Sequence, residues 1–99
     1  MAEERTLSAI DALRRRIDEI DEQLVRLLSE RARCALAIGR EKKHSGLPVY
    51  QPAREAEVLD HVQHVNGGPL DDGAVKRLFE RIIDEARRLE RIAEEGENG

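Results

Sequence analysis

Apolar residues recur along the first half of the chain at alternating steps of three and four: Ile10, Leu13, Ile17, Ile20, Leu24 and Leu27, then Cys34 and Ile38 after a gap filled by Arg31. This is the seam of a heptad helix. Neither Pro nor Gly interrupts the run before Gly39, so the pattern predicts one helix from about Leu7 to His44, roughly 55 Å long at the usual rise per residue. Thr6 or Ser8 can cap its start, with Ser8 and Asp11 at capping-box spacing. Such a helix is longer than a compact domain of 99 residues is wide, so much of the seam is expected to pack on a second copy.

Ser45-Gly46-Leu47-Pro48 breaks the pattern, and Pro52 is placed to be the first residue of a second helix running to about Val65. Its inward stripe is Glu55, Val58, Leu59, Val62 and Val65. Asn66-Gly67-Gly68-Pro69 reads as a stop and loop, after which Asp71 or Asp72 can cap a third helix. Val75, Leu78, Phe79, Ile82, Ile83, Ala86, Leu89 and Ala93 line its buried face. No strand pattern or internal repeat is present, so the expected fold is all-α, with three helices and a very long first one. Residues 1–6 read as an N-terminal extension, 7–93 as one domain, and 94–99 as an acidic, Gly-containing, frayed tail.

Composition narrows the picture. Phe79 and Tyr50 are the only aromatics, which leaves little material for a thick monomeric core and again favours a partner chain. Charged residues make up 38% with both signs mixed and the net charge is −4, which excludes a general attraction to nucleic acid or membrane. No apolar run approaches membrane-spanning length, and Met1-Ala2-Glu3-Glu4-Arg5-Thr6 lacks the apolar core of a signal peptide, so a cytoplasmic location is expected. Cys34 is the sole cysteine and has seam spacing, the position of a small core residue. His61 and His64 share a helix face without a further clear ligand, so no metal site is predicted. Gly67-Gly68 lacks the pattern of a phosphate loop, and no basic groove with stacking aromatics is present.

Most charges have ordinary explanations. Arg26 has Glu22 and Glu30 at four-residue spacing and Arg15 has Glu19, which makes them members of solvated ladders. Arg31 differs. It occupies a seam position, with Leu27, Leu28, Cys34 and Ala35 around it and no local acid. A guanidinium facing a helix interface must be paired or hydrated, because an isolated buried charge is costly. Two readings stay open, an interchain salt bridge and an anion pocket. Lys42 lies beside the same stripe, also without a local acid, whereas Arg14 flanks it with Asp11 and Asp18 in reach. Glu55 puts a carboxylate on the apolar stripe of the second helix, where the helix dipole alone could account for it. Glu90 lies between Ala86 and Ala93 on the third, with Arg87 as a local partner. Together these residues suit a small dianion bearing hydroxyl or ether oxygens.

Leu13-Arg14, Ile17-Asp18, Ile20-Asp21, Leu27-Leu28, Arg31, Ile38-Gly39 and Lys42 resemble the first helix of the all-helical chorismate mutases. The likeness continues through Pro48, Arg54-Glu55, Leu59 and the stretch from Phe79 to Ile83, and covers about Leu7 to Ala93. It implies an intertwined homodimer in which Arg14 reaches the partner's pocket, and isomerisation of chorismate to prephenate on the way to phenylalanine and tyrosine. That rearrangement is intramolecular and pericyclic, so the family needs no cofactor. By the same resemblance Arg14 and Arg31 clamp the substrate carboxylates and Lys42 also reaches the ether oxygen. Glu55 holds the ring hydroxyl with help from the Gln51 region, and Arg54 supports the network.

Two positions depart from the family pattern. Glu90 stands where many relatives have glutamine, and Ala86 where some have serine. Only a protonated Glu90 can donate to the ether oxygen. Burial raises its pKa and Lys42 and Arg87 lower it, a balance that sequence leaves open. Isochorismate-pyruvate lyases share the fold and a similar Arg and Lys clamp, although Arg54-Glu55 fits mutases better. Val49-Tyr50-Gln51-Pro52-Ala53-Arg54-Glu55 and Asn66-Gly67-Gly68-Pro69 are similar to segments of mutase domains fused to, or partnered with, DAHP synthase. That would give the chain a regulatory role. A non-catalytic helical dimer is the remaining alternative.

Overall fold

The computed structural model describes residues 1–48 and 51–98, with side chains described through residue 96. The Val49-Tyr50 part of the synthase-like segment and the Gly99 end of the acidic tail lie outside the described residues. Three helices and no strands are found among the described residues: α1 (Ala2–Ser45), α2 (Pro52–Val65) and α3 (Asp72–Asn98). The chain divides into two compact units, Met1–Arg33 and Cys34–Gly99, and the division falls within α1.

The first unit is helix alone. It begins at Ala2 rather than at Leu7, because Ala2, Glu3 and Glu4 are good helix formers and the two acids in the first turn complement the helix dipole. The Thr6 hydroxyl accordingly donates to the Ala2 carbonyl at 2.9 Å, within the helix, and does not cap it. Arg16, not Arg15, pairs with Glu19 at 3.1 Å, and Arg26 lies 3.9 Å from Glu22. These exposed pairs add at most a few tenths of a kcal/mol each. Along the apolar seam Leu13, Ile17, Leu24 and Leu27 are each more than half exposed.

In the second unit, α1 ends at Ser45 through a glycine cap. Gly46 takes φ 69°, the Leu47 amide donates to the Lys42 carbonyl at 2.9 Å and the Gly46 amide to the Lys43 carbonyl at 3.5 Å. This Schellman arrangement closes two carbonyls that the helix end leaves open. Pro52 opens α2 as expected, and the Gln51 carbonyl accepts from the amides of Arg54 and Glu55. Asn66 ends α2 and organises the turn that follows. Its amide donates to the Leu70 carbonyl at 2.8 Å and to Asp72 at 2.9 Å, while its oxygen accepts from the Gly68 amide at 3.1 Å. Asp71 is the residue that caps α3, accepting from the Ala74 amide at 2.7 Å. The acidic end stays helical through Asn98, in place of the expected frayed tail.

Helices α2 and α3 pack on each other. Glu55, Val58, Leu59 and Val62 on α2, and Val75, Phe79, Ile82, Ile83, Ala86 and Ala93 on α3, are half-buried. Val65, Leu78 and Leu89 are exposed, contrary to the predicted stripes, and so is Cys34. Val65 is the last residue of α2, and Gln63 is half-buried beside Val62, its amide donating to the Leu59 carbonyl at 3.0 Å. No side chain among the described residues is fully buried, so each aliphatic supplies only part of the ~1.5–3 kcal/mol that complete burial yields.

Because nothing lies within 4 Å of a Cβ built at Gly46, a side chain there meets no clash and only the backbone objects. Gly46→Ala is expected to cost about 1–2 kcal/mol through its left-handed φ, and Asp71→Ala about 1 kcal/mol through the lost cap. Urea unfolding of each variant measures both.

Candidate active site

The residues singled out by sequence fall on both units. On the first, Arg14 is exposed and Arg31 half-buried, and neither makes an ion pair with an acid three or four residues away among the described residues. On the second unit lie Lys42, Gln51, Arg54, Glu55, Ala86 and Glu90.

The last turns of α1 and the distal part of α3 line a cleft that is open to solvent. Gly39, Arg40 and Lys43 line it from α1, and Glu90, Ala93 and Glu94 from α3. Small residues create the room, since Gly39 has no Cβ and nothing stands within 4 Å of where one would be. Of the predicted residues only Glu90 lines this cleft. Lys42 does not line it, yet its charge acts on Glu90.

Glu90 is half-buried, and burial pushes its carboxyl above the ordinary value of 4.5. The cations of Lys42 and Arg87 pull the other way and do not cancel the effect. Desolvation therefore wins the contest that sequence left open. While it keeps its proton, such a carboxyl can donate a hydrogen bond to an oxygen on which negative charge develops.

Glu55 sits in the first turn of α2 with its side chain 28% exposed, and its Oε1 forms an ion pair with Nη2 of Arg87 across the α2–α3 contact. In the sequence Arg87 stands out only as a neighbour of Glu90. Its link to Glu55 is hidden there because pairing between helices depends on their register, which spacing within one helix does not reveal. Gln51 is half-buried at the start of α2, and Ala86 is half-buried with Ile82 and Ile83 on the inner face of α3. Arg54 is not drawn in: it pairs with Glu57 at 3.2 Å, both largely exposed.

The family model described as chorismate mutase type II matches residues 13–91. A bifunctional chorismate mutase/prephenate dehydratase of Pseudomonas aeruginosa is 48% identical over 86 residues, which cover 82% of this chain and 24% of that protein. A chorismate mutase of Methanocaldococcus jannaschii is 27% identical, covering 80% of this chain and 81% of that one. Among solved structures, a chorismate mutase of Thermus thermophilus superposes with a TM-score of 0.80 at 40% identity, covering 83% of this chain and 93% of that chain. The chain thus spans about a quarter of the length of the bifunctional relatives it matches.

Glu90 carries a consequence for stability. Well below pH 4.5 its carboxyl is neutral in both the folded and the unfolded chain. As pH rises the unfolded chain ionises first, so the folded state loses stability until the pH has passed the raised folded value. Glu90→Gln is therefore expected to match the wild type in acid and to become the more stable protein toward neutrality. Urea midpoints from about pH 3 to about pH 8 test this, and an offset that stays constant across the range would refute it.

Proposed function

The chain belongs to the chorismate mutase type II family, and from that premise we propose that it converts chorismate to prephenate. The observation that carries the proposal is the half-buried Glu90 carboxyl, raised toward its neutral form, with the charge of Lys42 acting on it. In the reaction the ether C–O bond breaks as the new C–C bond forms within one molecule, and negative charge gathers on the departing oxygen. A neutral Glu90 donates a hydrogen bond to that oxygen and Lys42 supplies positive charge. Glu55, fixed by Arg87, accepts the ring hydroxyl, with Gln51 beside the same helix start. Ala86 leaves room where a larger side chain would not.

Arg14 and Arg31 receive the substrate carboxylates in this reading, and their support is the family likeness, not geometry. Selecting the compact substrate conformer accounts for a share of the rate, because the reacting carbons are brought together before the barrier. Arg54, paired with Glu57 in the free chain, would join only by changing partner.

A homodimer with Arg14 contributed across the interface is part of the proposal. The uncovered aliphatic seam of α1 and the exposed Cys34 within it support a second copy. A cytoplasmic location goes with this reading, and no helix among the described residues is long and apolar enough to cross a membrane. Association with DAHP synthase rests on the sequence likeness of the Val49-Tyr50-Gln51-Pro52-Ala53-Arg54-Glu55 and Asn66-Gly67-Gly68-Pro69 segments alone, while the bifunctional relatives' names join their mutase to prephenate dehydratase.

The test is loss of chorismate with prephenate identified as product. Arg31→Ala and Lys42→Ala should each lower kcat/KM by about 10²–10³, and retained turnover in both would sink the assignment of the clamp. Activity should fall as pH rises through the Glu90 value, because the ionised carboxylate cannot donate and repels the forming charge. Glu90→Gln should flatten that limb; superimposable profiles for the two proteins would reject the role given to Glu90.

A further inference from the structure

Arg87 stands apart from the arginines near it. Arg81 and Arg88 each pair with Glu85 on their own helix and are largely exposed, as surface ladders are. Arg87 is less exposed than either. Its Nη1 donates to Asp84 at 3.2 Å one turn earlier, which would satisfy a ladder member. Yet its Nη2 crosses to Glu55 on α2, and its charge also reaches Glu90, one turn later.

We propose that Arg87 is a positioning residue of the site: braced by Asp84, its guanidinium holds the Glu55 carboxylate across the α2–α3 contact and stands one helical turn from Glu90. The inference rests on the proposed mutase reading, in which Glu55 and Glu90 touch the substrate and Arg87 does not. With Oε1 occupied by Arg87, the second Glu55 oxygen is presented in one orientation for a hydroxyl. Without that bond the carboxylate regains its rotamers, and the ordering must then be supplied by substrate binding.

The second effect of Arg87 is electrostatic. Glu90 is acted on by Lys42 from α1 and by Arg87 from its own helix, and it shares the cleft with Arg40 and Lys43 of α1 and Glu94 of α3. Glu55 of α2 reaches this group through Arg87. Deleting the Arg87 charge removes one of the two cations that draw the Glu90 carboxyl down, and leaves the Glu55 charge unneutralised. Both changes favour the protonated form of Glu90. Loss of Arg87 is thus expected to weaken substrate binding and, separately, to carry activity to higher pH. A residue that merely joined two helices would do neither.

The experiment compares wild type, Arg87→Met, Arg87→Gln and Arg87→Lys, with Arg87→Met also made in Glu90→Gln. Chorismate kinetics over about pH 5–9 are read together with melting temperature and a carbon-13 NMR titration of the Glu90 carboxyl. Arg87→Met should raise KM about tenfold, as befits loss of one charged hydrogen bond, and move both the activity limb and the Glu90 midpoint to higher pH. Arg87→Gln should move the midpoint the same way if the Met variant fails to fold, and Arg87→Lys should restore it. In Glu90→Gln the limb should not move. A Glu90 midpoint and KM that stay fixed in the neutral variants, with only melting temperature lowered, would overturn the proposal. Absence of turnover in the wild type would instead reject the mutase reading, while the NMR midpoints still decide whether Arg87 governs Glu90.

Discussion

The half-buried aliphatic stripes of α2 and α3 lie against each other, and the charged groups of the second unit take their places from that packing. Glu55 and Arg87 are on different helices with no sequence proximity, so they can pair only if α2 and α3 keep one register. The Asn66 turn serves that end, tying the end of α2 to Leu70 and Asp72 at the start of α3.

Within that frame, the chemistry depends on a contest between solvation and charge. Lys42 and Arg87 would by themselves keep Glu90 ionised, and partial burial overrides them. The result is a carboxyl that does what a glutamine could do at any pH, but only while it keeps its proton. The small residues Gly39 and Ala93 line the same cleft, and Glu90 is only half covered there. Fuller burial would raise the pKa further and close the site.

Much of this is legible in the spacing of residues. The heptad seam of α1, Pro52 at the start of α2 and an Asp at the start of α3 follow from local rules, and the structure has all three. Helix ends are less legible, since Ala2-Glu3-Glu4 and the acidic stretch after Ala93 extend helices where loop-like composition predicts an end. Arg31 and Lys42 stand out in the sequence as cations without local acids. Arg87 does not, because Asp84 gives it an ordinary partner and its second partner lies on another helix. The expected place of Arg54 in the site likewise depends on where a long side chain turns, and in the free chain it turns toward Glu57.

A carboxyl poised in this way makes ligand capture an exchange with the solvent. In the proposed site an anion beside Glu90 would push the carboxyl further toward its neutral form, so binding at a pH where Glu90 is ionised would be accompanied by proton uptake. The buffer then becomes a participant in the equilibrium, and the heat of binding includes its heat of deprotonation. On that proposal, affinity would weaken with rising pH even with every contact to the ligand unchanged.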